Sequence, residues 1–418
     1  MAEIKPDIET FAKIKVVGVG GAGGNAVSRM IDSKIKGVEF VVINTDAQAL
    51  HNSKAAEKVH IGKNLTKGLG AGMNPEIGRQ AAEENRDEIQ EVLKGADMVF
   101  VACGLGGGTG SGAAPIVAET AKELGALTIG IVTKPFTFEG AQRRAIAEES
   151  LSNLRDRVDS LITIPNDKLL SIIDKKVSLI NAFRIVDDVL RQGVQGISDL
   201  ITKPGIVNVD FADVRTIMED SGSALMGIGI ASGENRAEEA ARAAISSPLL
   251  ELSIDGAKGV LINISGSADL GMLEINEAAN IITESIDPNA KVIFGAVVDD
   301  QVHKGDIQIT VVATGFDANR TKERAPLGFV TRSASAPSAP AVSRATVEPD
   351  PVQAKDDDED IFSRTAFEST RRMVEKPAMI IEEKIQPAPT QLRTETKEFV
   401  EEGDDLEIPA FIRRKMKK

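Results

Sequence analysis

Three glycine-rich turns give this sequence its clearest indication of chemistry. One of them, CGLGGGTGSG (Cys103 to Gly112), has six glycines in ten residues directly after the apolar run MVFVA. Glycine lets backbone N–H groups approach an anion closely, and a helix that begins after such a turn adds about half a positive charge. Thr109 and Ser111 add hydroxyl donors. The turn therefore predicts a phosphate-binding loop that uses main-chain amides and no lysine.

The other two turns bear on which nucleotide is bound. VVGVGGAGG places Gly18, Gly20 and Gly23 in the G-x-G-x-x-G order of a dinucleotide-binding fingerprint, with Asp46 about 23 residues after Gly23. GLGAGMNP, residues 68–75, leads into another helix pattern. Three such turns suit a triphosphate better than a single pyrophosphate, and the G-x-x-x-x-G-K-[ST] pattern is absent. A Rossmann-type NAD-dependent oxidoreductase and a nucleotide-binding scaffold without catalysis stay open as alternatives at this point.

Several charged and aromatic residues allow both a functional and a structural interpretation. Asp210 and Asp213, in NVDFADV, stand just before the helical pattern VRTIMED and fit a helix N-cap with a second acid in the first turn. Glu139 and Arg143 are four residues apart, as in a surface ion pair. Phe183 lies on an apolar helix face, as a core side chain would. From the local pattern alone, the structural interpretations are favoured.

Composition excludes several classes of protein. A net charge of −14 argues against general nucleic-acid binding, because duplex affinity depends on Lys and Arg. The single cysteine rules out an internal disulfide framework, and the three scattered histidines lack the spacing of a zinc site. No apolar run reaches the ~18 residues of a membrane span, and the first residues lack the apolar segment of a signal peptide. We therefore expect a cytoplasmic protein.

The elements that must position the turns alternate as in α/β layering. Five β-rich runs, IKVVGVG, EFVVINTD, DMVFVAC, LTIGIVT and SLITIPN, alternate with helix patterns such as GGNAVSRMID and PEIGRQAAEENRDEIQEVL. This alternation predicts one doubly wound domain with parallel strands.

A long helix and a smaller second unit are predicted next. The helix is indicated by apolar residues that recur with a period near 3.6, namely Leu179, Phe183, Val186, Leu190, Val194, Ile197 and Ile201. It ends at TKPG, where proline and glycine stop it. SALMGIGIAS, GVLINIS, KVIFGAVVD and DIQITVVATGF predict four strands, with NRAEEAARAAIS and MLEINEAANIITESI as helices. After Phe316 the composition predicts a disordered tether, and the last residues, DDLEIPAFIRRKMKK, predict a docking peptide.

Together these motifs resemble a known family. GGGTGSG, at Gly106 to Gly112, resembles the signature loop of the tubulin superfamily. GVGGAGGNAV, NTDAQAL, GLGAGMNPEIG and NVDFADV are similar, nearly residue for residue, to the FtsZ family of bacterial cell-division GTPases. The resemblance extends from about Ile14 to Phe316, and IPAFIRRK resembles the family's C-terminal peptide.

The resemblance implies an α/β fold and a division of the chain. The fold would be a tubulin-like GTPase domain with a parallel Rossmann-like sheet, a long central helix, a smaller α/β C-terminal domain and a disordered tail. The implied segments are a flexible N-terminus 1–13, a GTP-binding domain 14–178, a central helix 179–203, a C-terminal domain with a catalytic acidic loop 204–318, a linker 319–402 and a partner-docking peptide 403–418.

The resemblance also implies which residues contact GTP. Gly21 to Asn25 would form the first phosphate loop, and Ala71 and Gly72 would face the γ-phosphate. Asn166 and Asp187 would bind the guanine edge, with Phe183 stacked on the ring. Glu139 and Arg143 would contact the ribose and phosphate region. The full expected set is Gly20, Gly21, Ala22, Gly23, Gly24, Asn25, Asn44, Asp46, Ala71, Gly72, Gly104, Gly106, Gly107, Gly108, Thr109, Gly110, Ser111, Gly112, Thr133, Pro135, Glu139, Arg143, Asn166, Phe183 and Asp187.

Hydrolysis and assembly are linked in what the resemblance implies. Asn208, Asp210 and Asp213 would enter the pocket of the next subunit and position the attacking water, with Mg²⁺ on the phosphate oxygens and no protein metal site. The expected partners are further copies of the chain in a head-to-tail filament, and membrane-tethering and regulatory division proteins that bind residues 404–418. We expect no nucleic acid and only indirect membrane contact. The expected place is the cytoplasm at mid-cell beneath the inner membrane, where filaments form the division (Z) ring.

Overall fold

The first half of the structure alternates strands with helices, as the apolar runs predict. The structure is a computed structural model, and it describes residues 12–170, 177–203, 205–250, 253–299 and 302–316. The predicted linker and docking peptide, and most of the N-terminal segment, lie outside these residues. The elements are, in order, β1 (Ile14–Val19), α1 (Gly20–Asp32), β2 (Val38–Asn44), α2 (Ala47–Asn52), β3 (Glu57–His60), α3 (Lys63–Thr66), α4 (Pro75–Glu84), α5 (Arg86–Leu93), β4 (Met98–Gly104), α6 (Thr109–Glu123), β5 (Leu127–Lys134), α7 (Ala141–Arg155), β6 (Ser160–Pro165) and α8 (Asn166–Leu170).

A long helix and a second group of strands complete the described chain. The elements are α9 (Leu179–Thr202), α10 (Phe211–Met218), β7 (Gly222–Ser232), α11 (Arg236–Ile245), β8 (Gly259–Gly266), α12 (Met272–Thr283), β9 (Lys291–Val298) and β10 (Asp306–Thr314). The long helix, the four strands and the two helices predicted after it are confirmed. The helix ends at Thr202, and the backbone of Lys203 is extended. Pro204, which was predicted to stop it, lies outside the described residues.

The strands form one sheet whose order is β3-β2-β1-β4-β5-β6-β7-β10-β8-β9. Neighbours from β3 through β7 are parallel, β10 pairs antiparallel with β7 and β8, and β8 is parallel to β9. Strand β1 lies between β2 and β4, so the chain leaves β1 toward one side of the sheet and later returns on the other. Ligands of doubly wound sheets bind at the carboxyl ends of strands at such a point. The topology therefore predicts a ligand site at the carboxyl ends of β1 and β4.

Both faces of the parallel strands are buried. Alternate residues of β1 enter different cores, so Val16 packs in one and Val17 in the other. Helix α9 buries the middle of the predicted stripe, because Val186, Leu190, Val194 and Ile197 are at most 4% exposed, whereas Phe183 is 40% exposed. No helix within the described ranges is long and apolar enough to cross a lipid bilayer.

Two features of the first half differ from the sequence-based expectation. Strand β3, only four residues long, was not predicted. The single helix predicted from PEIGRQAAEENRDEIQEVL is two helices, because Asn85 leaves the helical conformation with φ −113° and ψ 26°. The Asn85 side chain accepts a hydrogen bond from Gly62 N at 2.8 Å. A contact with a residue distant in sequence thus interrupts an otherwise regular helical pattern.

Helix α11 packs so closely on β7 that Gly229 has no room for a side chain. A Cβ atom added there would lie 2.0 Å from the carbonyl oxygen of Ala240. We expect Gly229→Val to lower the free energy of unfolding by about 2 kcal/mol, because either the helix or the strand must move. Urea unfolding followed by far-UV circular dichroism measures this.

The matched control is the next residue, Ile230, whose side chain is 57% exposed. Ile230→Ala should change the free energy of unfolding by less than about 1 kcal/mol. Equal losses in the two variants would contradict the close packing of β7 on α11.

Candidate functional site

The loops that follow the parallel strands surround a cavity of about 360 Å³ at the carboxyl edge of the sheet. Strands β1, β4, β5 and β6 are parallel, so their carboxyl ends lie side by side. The cavity brings together many of the predicted GTP contacts, namely Gly21, Ala22, Gly72, Gly104, Gly107, Gly108, Thr109, Gly110, Thr133, Pro135, Glu139, Arg143, Asn166, Phe183 and Asp187.

One end of the cavity is formed by the starts of two helices. Helices α1 and α6 begin at Gly20 and Thr109, and in neither does a side chain cap the first turn. Gly20 has φ +73°, and an added Cβ would lie 2.9 Å from Gly110 N, so the two helix starts nearly touch. Their unpaired N–H groups and positive dipole ends therefore meet at one place. This end of the cavity suits an anion such as a phosphate chain.

The third glycine turn contributes differently from what was expected. Helix α4 is capped by its own Asn74, whose Oδ1 accepts from Glu76 N at 3.0 Å, so this helix start is not free for an anion. Gly72 still lines the cavity, and its carbonyl oxygen accepts from Gly108 N at 2.7 Å. The turn therefore supports the loop at Gly108.

Hydrogen bonds between side chains and backbone keep the 104–112 loop in shape. The Ser111 hydroxyl accepts from Gly106 N at 2.9 Å, and the hydroxyls of Thr45 and Thr109 lie 2.7 Å apart. Gly112 lies against α4, since an added Cβ would be 1.9 Å from the carbonyl oxygen of Pro75. Ser111 and Gly112, with Gly106, thus hold the loop in place and do not line the cavity.

The opposite end of the cavity offers hydrogen-bond acceptors. Asn166 is 5% exposed, and its Oδ1 atom has no hydrogen-bond partner within the described residues. The Asp187 carboxylate accepts from Arg29 Nε at 2.7 Å. Burial raises the pKa of Asp187, and the hydrogen bond from Arg29 opposes that shift. Guanine presents N–H donors at N1 and N2, for which an amide oxygen and a carboxylate are suitable acceptors.

An aromatic side chain and an ion pair lie beside these acceptors. Phe183 is 40% exposed and packs edge-on against Phe136, with ring centroids 5.5 Å apart. It is therefore not a core side chain, and one part of its ring remains available for stacking. Arg143 Nη1 lies 2.7 Å from Glu139 Oε2, and Glu139 also accepts from Phe136 N. The predicted surface pair exists, and both of its members line the cavity.

Other predicted contacts lie near the cavity without lining it. Gly20, Gly24, Asn25 and Asn44 line an adjoining cavity of about 150 Å³ that shares Gly21 with the first. Three further residues of the predicted set do not line either cavity, because they make structural contacts or are buried. Asp46 caps α2 by accepting from Gln48 N and Ala49 N, Gly23 packs against the carbonyl oxygen of Ala102, and Ala71 is 6% exposed.

The acids of the 205–213 segment lie at the other edge of the sheet. Gly37 precedes β2, and an added Cβ there would lie 2.6 Å from Thr202 Cβ, so α9 ends near the amino edge. From Phe183, at the cavity, to Thr202 the helix rises about 28 Å. Asn208, Asp210 and Asp213 follow this end and are exposed. They therefore cannot reach the cavity of their own subunit.

Asp210 occupies the N-cap position of α10, as the local pattern predicts, but its side chain caps nothing. The backbone carbonyl of Asp210 accepts from Asp213 N at 3.0 Å, while no side-chain capping hydrogen bond forms. The carboxylate is therefore not used by the helix that it precedes.

Known proteins match both halves of the described chain. Residues 13–174 match the GTPase domain of the Tubulin/FtsZ family, and residues 222–317 match the FtsZ family C-terminal domain. A structure described as an empty FtsZ dimer from M. jannaschii has 48% sequence identity and a TM-score of 0.71, and the match covers 73% of this chain and 89% of that chain. The chain belongs to the FtsZ family. As a member, it is a cytoskeletal GTPase that binds guanine nucleotide. These findings give no support to an NAD-dependent oxidoreductase.

Two solved structures with lower sequence identity share the fold. CetZ2 from Haloferax volcanii, in a GTPγS-bound protofilament, has 23% identity and a TM-score of 0.61 over 72% of this chain and 92% of that chain. CetZ1 from the same organism, a GDP-bound monomer, has 23% identity and a TM-score of 0.62 over 73% and 95%. At these identities the likeness concerns the fold alone.

Sequence reasoning missed Arg29 as part of the site. Its partner Asp187 is 158 residues away, and no local pattern connects them. Their contact joins α1 to α9 at the acceptor end of the cavity.

The unpartnered Asn166 Oδ1 leads to a test in which stability and affinity respond differently. We expect Asn166→Leu to weaken GTP binding about tenfold, because an acceptor for the bound base is lost. The thermal midpoint of the nucleotide-free protein should be unchanged or higher, because no internal hydrogen bond is lost. Equilibrium titration with GTP and thermal unfolding measure the two quantities.

Asn153→Leu, at an exposed asparagine on α7, is the control and should leave GTP affinity unchanged. Unchanged GTP affinity in Asn166→Leu would exclude Asn166 from base recognition.

Proposed function

We propose that the 360 Å³ cavity is the GTP site and that the acids of a neighbouring subunit complete it for hydrolysis. In this proposal the amides of the two uncapped helix starts bind the phosphates, and Asn166 and Asp187 accept hydrogen bonds from guanine. The partnerless Oδ1 of Asn166 supports the assignment, because a buried acceptor normally has a donor. Phe183 would stack on the base, with Glu139 and Arg143 at the ribose.

The observation that carries the shared site is the position of the acids at the opposite edge of the sheet. The acids follow the far end of α9, about 28 Å along the helix from Phe183 at the cavity, so in this proposal they act on a nucleotide held by another molecule. A contact that joins one edge to the opposite edge of the next copy is heterologous and extends into a filament. Asp210 and Asp213, with Asn208, would then orient the water that attacks the γ-phosphate.

Exposed apolar side chains near both edges fit such a contact. Leu69, on the glycine turn that includes Gly72, is 86% exposed, and Ile206, in the acidic loop, is 57% exposed. A contact between the two edges of neighbouring copies would remove these side chains from water, which is favourable. The M. jannaschii FtsZ structure is a dimer, and the CetZ2 structure is a protofilament.

Mg²⁺ is part of the proposal. Among the described residues no three His, Cys, Asp or Glu side chains are grouped to hold a metal ion. Mg²⁺ commonly keeps several waters and binds substrate phosphates, so it does not need such a group. Of the hydroxyls near the glycine loop, that of Thr109 lines the cavity and is an oxygen ligand of the kind that suits this ion. The bound ion would neutralise phosphate charge during transfer.

At the cellular level, we propose that the filaments form the division ring at mid-cell beneath the inner membrane. Residues 404–418 combine acids, an apolar core IPAFI and a basic end. Such a peptide suits docking onto membrane-tethering and regulatory division proteins through an apolar groove with charged edges. This segment lies outside the described residues.

Removing one acid should separate binding from hydrolysis. We expect Asp213→Ala to bind GTP within about twofold of the unaltered protein and to lose roughly 100-fold in turnover, the range for loss of a group that activates water. The quantities are the GTP dissociation constant and phosphate release at a fixed protein concentration.

Glu219→Ala is the matched control, since Glu219 is an exposed acid at the other end of α10. Its turnover should be normal. Full GTPase activity in Asp213→Ala would exclude this acid from hydrolysis.

A site shared by two subunits makes turnover depend on assembly. Phosphate release per subunit should rise steeply above a threshold protein concentration, together with light scattering, because a lone subunit lacks the acids. A constant turnover per subunit through the assembly threshold would indicate a site contained in one molecule.

A further inference from the structure

Lys203, at the end of α9, makes two buried ionic contacts that the GTPase site does not include. Its Nζ lies 2.9 Å from Asp199 Oδ2, one turn earlier on the same helix, and 2.9 Å from Asp299 Oδ2. Asp299 directly follows β9, and its backbone N–H donates to the carbonyl oxygen of Gly266. The side chains of Asp199 and Asp299 are 4% and 9% exposed. Lys203 therefore joins the end of the helix to the C-terminal strands.

The opposite charges of Lys203 and the two aspartates hold this cluster together. Two buried carboxylates bind the same ammonium, and Asp199 also accepts a hydrogen bond from Gln195 Nε2 at 3.2 Å, so removal of the ammonium weakens the link between the helix and Asp299. Burial raises the pKa of Asp199, and Lys203 opposes that shift. Burial by itself lowers the pKa of Lys203, but its hydrogen bonds with Asp199 and Asp299 outweigh this effect and the pKa is raised. The ammonium therefore remains charged at neutral pH.

The chain that leaves Lys203 is held along its path to the acids. Ile206 N donates to the carbonyl oxygen of Ala296 at 2.8 Å, and Val207 forms a bridge with Ala296. Gly205 N donates to Asn208 Oδ1 at 2.7 Å. These contacts are neutral, whereas Lys203 provides a charged attachment at the start of the loop.

We propose that Lys203 is a positioning residue for GTP hydrolysis, because it sets the direction in which the 205–210 loop leaves α9 and hence where Asp210 and Asp213 are presented to the next subunit. The inference rests on the proposed shared site. Lys203 touches no nucleotide, since the cavity of its own subunit lies at the other end of the helix. Its effect therefore concerns the pocket of the neighbour and leaves its own pocket unchanged.

The first measurements separate turnover from GTP affinity. Lys203→Met should lower turnover about tenfold or more, since small displacements of reacting groups have large effects on rate. Its GTP dissociation constant should stay within about twofold of the unaltered protein, because its pocket is intact. Lys203→Arg should recover about half of the turnover or more, because a guanidinium can bind both carboxylates. Lys94→Met, at a lysine 70% exposed on the first half, is the control and should behave normally.

Asp299→Asn provides a milder variant, because the amide oxygen can still accept from Lys203. It should lose less turnover than Lys203→Met and keep GTP affinity. If Lys203→Met and Asp299→Asn both lose GTP binding, the cluster maintains the fold as a whole and the proposal is wrong. Full turnover in Lys203→Met, or no recovery in Lys203→Arg, would also overturn it.

Filaments assembled from two variants show whether the loss of turnover in Lys203→Met comes from its acidic loop or from its own pocket. Asp187→Ala lacks the carboxylate proposed to bind guanine but carries an intact acidic loop. Added to Lys203→Met, it should raise phosphate release above the sum of the two separate preparations, because the intact loop can enter the intact pocket. The same mixture with Asp213→Ala tests the shared site itself. Recovery with Asp213→Ala but not with Lys203→Met would overturn only the role of Lys203, whereas recovery with neither would contradict the shared site.

Discussion

The length of α9 sets the separation between the cavity and the acidic loop, on which the proposed shared site depends. Its 24 residues run from the cavity at the carboxyl edge of the sheet to the amino edge, where the acidic loop begins. A hydrogen-bonded helix packed between two groups of strands cannot shorten, so the groups at its two ends stay about 28 Å apart. Gly193 and Gly196 let the strands approach it, since a Cβ at either position would meet Met226 or Thr310 within 2.9 Å. In the proposed shared site, binding and hydrolysis therefore belong to different ends of the subunit.

In the proposed GTP site, an acidic protein binds a polyphosphate through its backbone. The chain carries a net charge of −14, and among the described residues that line the cavity Arg143 is the only basic one, itself paired with Glu139. The attraction must then come from N–H groups and helix dipoles, which act at short range and require close approach. The glycines of the 104–110 loop permit that approach. In the proposal, such a site binds the phosphates, and Mg²⁺ and the acids of a neighbouring subunit contribute to the chemical step.

Local patterns predicted much of the fold and many of the residues that line the cavity, and long-range contacts account for the rest. The glycine turns, the apolar strands and the stripe of α9 depend on residues close together in the sequence, so their positions could be predicted. The break at Asn85 depends on Gly62, and the Arg29–Asp187 contact joins residues 158 apart. Neither has a local signal. Asp210 shows the limit most clearly, because its N-cap position was predictable, whereas the absence of a capping hydrogen bond was not.

The most direct test of the shared site is the distance between the acids and the nucleotide in an assembled filament. Electron cryomicroscopy of filaments grown with a non-hydrolysable GTP analogue would measure it. The account predicts that the carboxylates of Asp210 and Asp213 from one subunit lie within about 6 Å of the γ-phosphate held by the next, close enough for a bridging water. Acids that face solvent, with the γ-phosphate enclosed by one subunit alone, would contradict it.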